Sequence, residues 1–442
     1  MKFFNSTINR YFGVTFRALK HRNFCLYWFG QILSVQGTWM QMVALGWLVL
    51  RITDSPFLLG LAGMAGNIPI LFLILPAGVI SDRISKQKVL LFTQTGLAIQ
   101  AVILAILTLT DLIDIYLILI LSVISGILRA IDMPARHSFV VEMVGKEDLM
   151  NAISLNSTLF NLARIIAPAI AGFLIALWGE GLCFAINALS YITMVGALLA
   201  MHSLPKTISL NNEKNIFAEV FDGLKFIKTS PVVLSLLILI SSAAFFGVSS
   251  FVLMPIFARD ILKVGARGLG FLMSAQGFGA LLAAITIASL DYRTIYRKMF
   301  YAAVILLPTF IFLFSFSGNF WISIFLILGA GWELMILQAT ANTTIQLKTP
   351  DDIRGRIMGI YGFTFLGFMP LGQLQVGAIA QWLDVRWAIA LNALICMIVA
   401  IIVYRKVPQL KKVQENILSP KEVETFESKK SNDEEERTAK KS

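Results

Sequence analysis

Twelve apolar runs separated by short polar stretches dominate the chain. They cover residues 27–50, 57–80, 89–110, 114–133, 152–177 and 182–201, then 232–257, 268–290, 300–317, 320–343, 358–381 and 387–404. Each is 18 residues or longer, close to the roughly 20 that a helix needs to cross a bilayer core. Lipid offers no partner to a bare N–H or C=O, so a run of that length in a membrane must be helical. The pattern predicts an all-α membrane protein of twelve transmembrane helices in two sets of six. It divides the chain into a leading segment 1–26, a six-helix bundle 27–201, a linker 202–231, a second bundle 232–404 and a charged tail 405–442.

Composition agrees, with 57% apolar and 14% charged residues against about 25% charged in a soluble domain. The net charge of +11 would suggest a nucleic-acid partner if it lay on a soluble surface, but its distribution points elsewhere. Of the 37 Lys and Arg residues, thirty fall on alternate, same-side segments: five before the first run, three, two, four, three and three in the connections, and ten in the tail. The other side holds five. That bias predicts both termini in the cytoplasm, and no nucleic acid is expected as a partner. Trp47, Trp178, Trp321, Trp382 and Trp387 fall at predicted outer span ends, as an aromatic belt requires.

The two sets also resemble each other. Residues 184–189, FAINAL, match 389–394, IALNAL, at an offset of 205, and Trp178 matches Trp382 at 204. Asp82 and Arg83 correspond to Asp291 and Arg293. A duplicated six-helix unit is the economical reading, and such repeats build many secondary transporters. Between the halves, residues 215–228 (NIFAEVFDGLKFIK) place their apolar residues along one helical face, as expected of a helix on the membrane surface. The distal tail reads as disordered.

Enzyme chemistry finds no support. No G-x-x-x-x-G-K-[ST] loop occurs. His21, His137 and His202 are scattered rather than arrayed for a metal, and no run pairs a nucleophile with a base. Neither metal nor cofactor is expected. Cys25, Cys183 and Cys396 sit in apolar runs as small packing residues. The segment from Met1 to Lys20 lacks the apolar core of a cleaved signal peptide.

The segment after the second run, GVISDRISKQK at residues 78–88, resembles the signature G-x-x-x-D-[RK]-x-G-[RK]-[RK] of the major facilitator superfamily, with Ser85 in place of the second Gly and Gln87 in place of a base. The resemblance implies that Asp82, supported by Gly78, Arg83 and Lys86, braces the two halves on the cytoplasmic side. A carboxylate there could meet the positive amino end of the eleventh helix near Met358; the competing reading is a solvated turn whose bases only set topology. The words FRALKHRNF (16–24), PAR (134–136), NAISLNS (151–157) and NTTIQLKTPDDIRGR (342–356) are similar to the enterobactin-exporter-like branch of that superfamily. That likeness implies export of a siderophore, macrolide or other amphiphile.

Independently of family, counting charges leaves two deep within runs, Arg164 in the fifth and Glu333 in the tenth. Such charges are expensive and usually face a cavity. Ser154, Ser157, Asn161, Arg164 and Pro168 share one stripe of the fifth helix, and Gln31, Ser34, Thr38 and Gln41 share one of the first. Both stripes are expected to line a polar pathway. Arg164 is read as an anion-binding or gating cation, or as a structural tie. Glu333 is read as a proton carrier or cation contact, although Gln338 and Asn342 lie on nearly the opposite side of its helix, so one of these sets must be a packing contact. The expected function is a proton-coupled secondary transporter in a bacterial inner membrane. It would act as a monomer by alternating access and export a siderophore or similar amphiphile. An importer on the same scaffold and a non-transporting membrane scaffold or sensor are the alternatives.

Overall fold

The computed structural model describes residues 15–202, 216–289 and 295–406. Twelve helices within it are long and apolar enough to cross a membrane: α1 Arg22–Thr53, α2 Pro56–Arg83, α3 Lys86–Leu109, α4 Ile115–Val144, α5 Leu149–Trp178, α6 Glu180–Leu199, α7 Pro231–Ile261, α8 Gly265–Ser289, α9 Ile295–Phe316, α10 Phe320–Lys348, α11 Arg354–Leu383 and α12 Val385–Lys406. No strand occurs among the described residues.

The helices begin where their sequences provide caps. Pro56 opens α2, where a missing N–H costs nothing, and the Ser55 hydroxyl accepts from the Leu58 N–H. The Asp114 carboxylate accepts from the Leu117 N–H at the start of α4 (2.7 Å), and the Asn319 carboxamide does the same for Trp321 at the start of α10 (2.9 Å). Asp114 and Asn319 are equivalent positions of the repeat. Gly145 and Gly179, with φ of 69° and 80°, end α4 and α5 in a conformation that glycine adopts without strain.

Packing follows the repeat. In the first half α2 lies on α4 and α3 on α6; in the second, α8 lies on α10 and α9 on α12. A methyl group at Gly126 would lie 2.7 Å from the Gly66 carbonyl oxygen, and one at Gly331 would meet that of Gln276 at still closer range. Both α4 and α10 therefore need a glycine to approach their partners, and these two glycines are again equivalent in the repeat.

Several features depart from the pattern of apolar runs. Helix α4 continues past Met133 to Val144, so Arg136 belongs to the same helix as Arg129 and Asp132 rather than to a loop. Helix α7 is irregular, with π segments at Ala243–Gly247 and Phe257–Ile261 and a 3-10 segment at Val248–Leu253. The linker holds a helix, Ile216–Thr229, that docks on the protein: a methyl at Gly223 would lie 2.8 Å from Ile360 of α11, and Ile227 is buried. Asp291 and Arg293 of the repeat, and the tail from residue 407, lie outside the described residues.

Candidate functional site

The helix Ile216–Thr229 marks one end of the bundle, the linker end; the opposite one is the far end. Two seams join the halves near the far end. On one, α2 touches α11: a methyl at Gly60 would overlap the Gln373 carbonyl oxygen, and one at Gly377 would lie 2.7 Å from that of Pro56. On the other, α5 touches α8: a methyl at Gly172 would lie 2.5 Å from the Ala266 carbonyl oxygen, and one at Gly270 would overlap that of Pro168. Backbones this close admit no side chain. The Ser55 hydroxyl also donates to the Gln381 carboxamide oxygen (2.8 Å), and Arg259 of α7 pairs with Asp54 at the end of α1.

Toward the linker end the first seam opens. Eighteen residues make five full helical turns, so Gly78 lies on the same face of α2 as Gly60, and Gly359 on the same face of α11 as Gly377. Among the described residues no atom comes within 4 Å of a Cβ position at Gly78 or Gly359. The faces of α2 and α11 that touch near the far end thus have no contact at these two positions about 27 Å further along the helices, toward the linker end.

Arg164 sits on the second seam. The Cβ position of Gly277 on α8 is 2.9 Å from the Arg164 carbonyl oxygen and 3.1 Å from its Cγ. Its guanidinium has no hydrogen-bond or ion-pair partner among the described residues. On the linker side of it, Asn161 is half-buried and Ser157 and Ser154 are exposed. Asn161 donates to the Ser157 carbonyl (2.9 Å) and Ser154 to that of Met150 (2.8 Å), both within the same helix. The α5 stripe is therefore a polar wall ending in an unpaired cation.

The α1 stripe finds its partners within the first half. Gln31 receives a hydrogen bond from Arg136, and Ser34 is buried. Thr38 donates to the Ser34 carbonyl (2.8 Å) and bonds the Tyr191 hydroxyl (3.1 Å). Gln41 bonds Gln100 (3.3 Å) and accepts from Asn187 (2.6 Å). Glu333 is 7% exposed, and its Oε2 has no hydrogen-bond partner among the described residues. It lies on the buried face of α10 with Ala330, Leu337 and Thr340, while Gln338 and Asn342 take the other side, where the Tyr361 hydroxyl donates to the Gln338 carbonyl (3.2 Å). Of the residues implied as a brace, Gly78 faces open space and Lys86 is buried 3.9 Å from Glu142; the side chains of Asp82 and Arg83 lie outside the described ones.

The run pattern missed a buried network. Asp132 accepts from Thr93 (2.8 Å), Gln94 (2.7 Å) and Arg136 (2.7 Å), and Arg136 also reaches Gln31 and the Tyr27 hydroxyl (3.3 Å). Arg129, two turns earlier on α4, donates to the Gly66 carbonyl at 2.5 Å. The signal in the sequence was the i,i+4 pair Asp132 and Arg136, which a continuing helix brings together.

A family model described as transmembrane secretion effector matches residues 14–432 of the chain. Among curated proteins, the multidrug efflux pump Tap of Mycolicibacterium fortuitum is 26% identical, covering 80% of this chain and 88% of that protein. The staphyloferrin A transporter of Staphylococcus aureus is 24% identical (78% and 86%), and the enterobactin exporter EntS of Shigella flexneri is 23% identical (77% and 81%). Among solved structures, a bacterial homolog of the human lysosomal transporter Spinster, in an inward-facing and unoccupied conformation, superposes with a TM-score of 0.69 at 12% identity, covering 89% of this chain and 98% of that one.

Proposed function

Because the chain belongs to the transmembrane secretion effector family of the major facilitator superfamily, and so is a multi-pass membrane transporter and not an enzyme, we propose that it exports an amphiphilic anion, a siderophore or a compound of that kind, in exchange for protons. The basic asymmetry supports a cytoplasmic linker end, and with that orientation the described conformation is open to the cytoplasm and sealed outside. The observation that carries the reading is Arg164: a guanidinium without a partner among the described residues, at the seam between the halves, with the exposed polar stripe of α5 leading to it. A bare cation at that depth is costly, and an arriving anion offsets that cost. Alternating access then requires the glycine faces of α2 and α11 to part at Gly60 and close at Gly78, with Asp82 bracing the closed state.

Glu333 is assigned the coupling proton, since protonation removes the cost of its buried charge. In proteoliposomes loaded with anilinonaphthalene sulfonate as the probe anion, wild type should move the probe against its gradient when an opposing proton gradient is imposed. Arg164→Gln should lose probe binding. Glu333→Gln should keep probe exchange, as a permanently protonated mimic can still reorient, and lose gradient-driven transport. Undiminished proton-driven transport in Glu333→Gln would refute the coupling assignment, and unaltered probe affinity in Arg164→Gln would refute the anion site.

A further inference from the structure

Apart from the transport pathway, the first half leaves a groove between α3 and α6. Thr95, Ala98, Ile99 and Val102 of α3 and Ile192 and Val195 of α6 line it, and it encloses about 300 Å³. Ile99 and Ile192 expose more than half of their surface, and an exposed face this apolar on a spanning bundle lies against lipid tails. The two helices are fixed on either side of the groove. Toward the linker end the Gln87 carboxamide donates to the Leu198 carbonyl (2.7 Å), and toward the far end the Cβ position of Gly181 lies 2.6 Å from Leu109. The equivalent helices of the second half, α9 and α12, meet through ring pairs, Tyr301 on Tyr404 and Phe316 on Trp387, each with centroids 5.3 Å apart. At their groove α3 and α6 offer only Thr, Ala, Ile and Val.

Two unanswered polar groups share the stripe of α3 that enters this groove. Lys88, Phe92, Thr95, Ile99 and Val102 follow one another at steps of three and four residues and so lie on one face. Lys88 stands in the first turn of the helix, about 10 Å from Thr95 toward the linker end. It is exposed and has no ion-pair or hydrogen-bond partner among the described residues, whereas Lys86 is buried near Glu142. Thr95 is exposed too, and its hydroxyl has no partner among the described residues. Thr93 and Thr108 of the same helix instead donate to the Leu90 and Leu104 carbonyls (3.1 and 2.7 Å). An unanswered hydroxyl in hydrocarbon is costly, and an ammonium at the membrane surface attracts anionic headgroups.

We propose that this groove is a binding site for one anionic phospholipid of the leaflet on the linker side. Its phosphate pairs with Lys88, an ester carbonyl accepts from Thr95, and an acyl chain lies between Ile99 and Ile192. The lengths agree: a leaflet spans half of a hydrocarbon core of about 30 Å, and Ile99 is about 16 Å along the helix from Lys88. A second copy of the chain is a poorer occupant, since a two-fold contact brings the same patch of both copies together and would set Lys88 against Lys88. A lipid held there bridges α3 and α6 and stabilises the first half as any ligand of the folded state does.

Native mass spectrometry of the purified full chain tests this, with palmitoyl-oleoyl phosphatidylglycerol or the phosphatidylcholine of the same tails added in equal amounts. Wild type should retain one phosphatidylglycerol with a preference of about fivefold, the worth of one lysine at an anionic surface. Lys88→Gln should lose that preference and keep the affinity for phosphatidylcholine, while Lys88→Arg should keep both. Lys146→Gln, at an exposed lysine between α4 and α5, should leave the preference intact. Filling the groove with Val195→Phe or with Ala98→Leu should remove the bound lipid, and adding Lys88→Gln to either should change nothing further; two fillers are made so that one serves if the other fails to fold. The proposal falls if wild type shows no preference, if Lys146→Gln abolishes it as fully as Lys88→Gln, or if Lys88→Gln acts equally with the groove filled. A dimer that the fillers dissociate would give the face to a second copy and overturn it as well.

Discussion

Helices α4 and α10 are copies of one element put to different uses. Each starts on a side-chain cap, Asp114 or Asn319, and each needs a glycine, Gly126 or Gly331, to settle on its neighbour. Beyond that frame they diverge. Helix α4 carries Arg129, Asp132 and Arg136, and it organises a hydrogen-bonded network reaching α1 and α3. Helix α10 carries one buried acid, Glu333, in a half whose other buried polar residues, among the described ones, are uncharged and whose α7 departs from regular helix. The backbone frame thus survives a complete exchange of interior chemistry, because close helix contact depends on glycine and caps while the charges are placed between contacts. Hydrogen bonds and an ion pair tie the polar interior of the first half together, whereas the buried acid of the second half has no hydrogen-bond partner at its Oε2 among the described residues.

The sharpest way to break this contrast is Asp132→Ala. It leaves Arg136 buried without its carboxylate and strips Thr93 and Gln94 of their acceptor, so a loss of roughly 3–5 kcal/mol is expected. Glu333→Leu, in contrast, removes an unpaired buried charge and should leave stability unchanged or raised. Thermal unfolding of both variants in the same detergent checks the pair, and equal losses would mean that Glu333 has a partner in the folded protein.

A smaller effect should expose what the two helices still share. Gly126→Ala and Gly331→Ala each force a methyl against a backbone carbonyl, and overpacking of this kind costs about 1–3 kcal/mol. Gly331 has the closer contact, so its variant should be the worse. The reverse order in a thermal scan would contradict this packing.

The smallest difference concerns the repeated Asn187 and Asn392. Asn187 donates to Gln41 of α1, and Asn392 exchanges two hydrogen bonds with Gln375 of α11 at 3.0 and 3.2 Å. Replacing either Asn by Leu should cost about 1 kcal/mol, and pairing Asn392→Leu with Gln375→Leu should restore most of that loss. A double-mutant cycle measures it, and strict additivity would deny the pair.

Much of the fold was legible in the sequence. Apolar runs had to be helices, because lipid satisfies no backbone group, and the matching words around Asn187 and Asn392 exposed the duplication. The fourth run stops at Met133 although α4 does not, because the last turns of the helix are polar and hydropathy reads polar as outside. Those turns face inward, where Arg136 finds Asp132, Gln31 and Tyr27. The candidate site was legible in the same partial way. The α5 stripe from Ser154 to Arg164 and the α1 stripe from Gln31 to Gln41 look alike as helical faces, yet one ends at the seam with the second half and the other bonds within its own half.

By itself, then, the sequence determined the number of spans, their division into two related halves, the sided distribution of charge and which residues share a helical face. These follow from chain chemistry and helical period, which need no neighbour to be defined. Tertiary structure alone decided which faces meet protein and which stand open. Gly60 and Gly78 occupy one face of one helix, but only the first has a partner among the described residues. A face has no environment until another helix is set against it, so the closed seam, the tie of Arg129 to the Gly66 carbonyl and the pairing of Arg136 with Asp132 exist only in the assembled bundle.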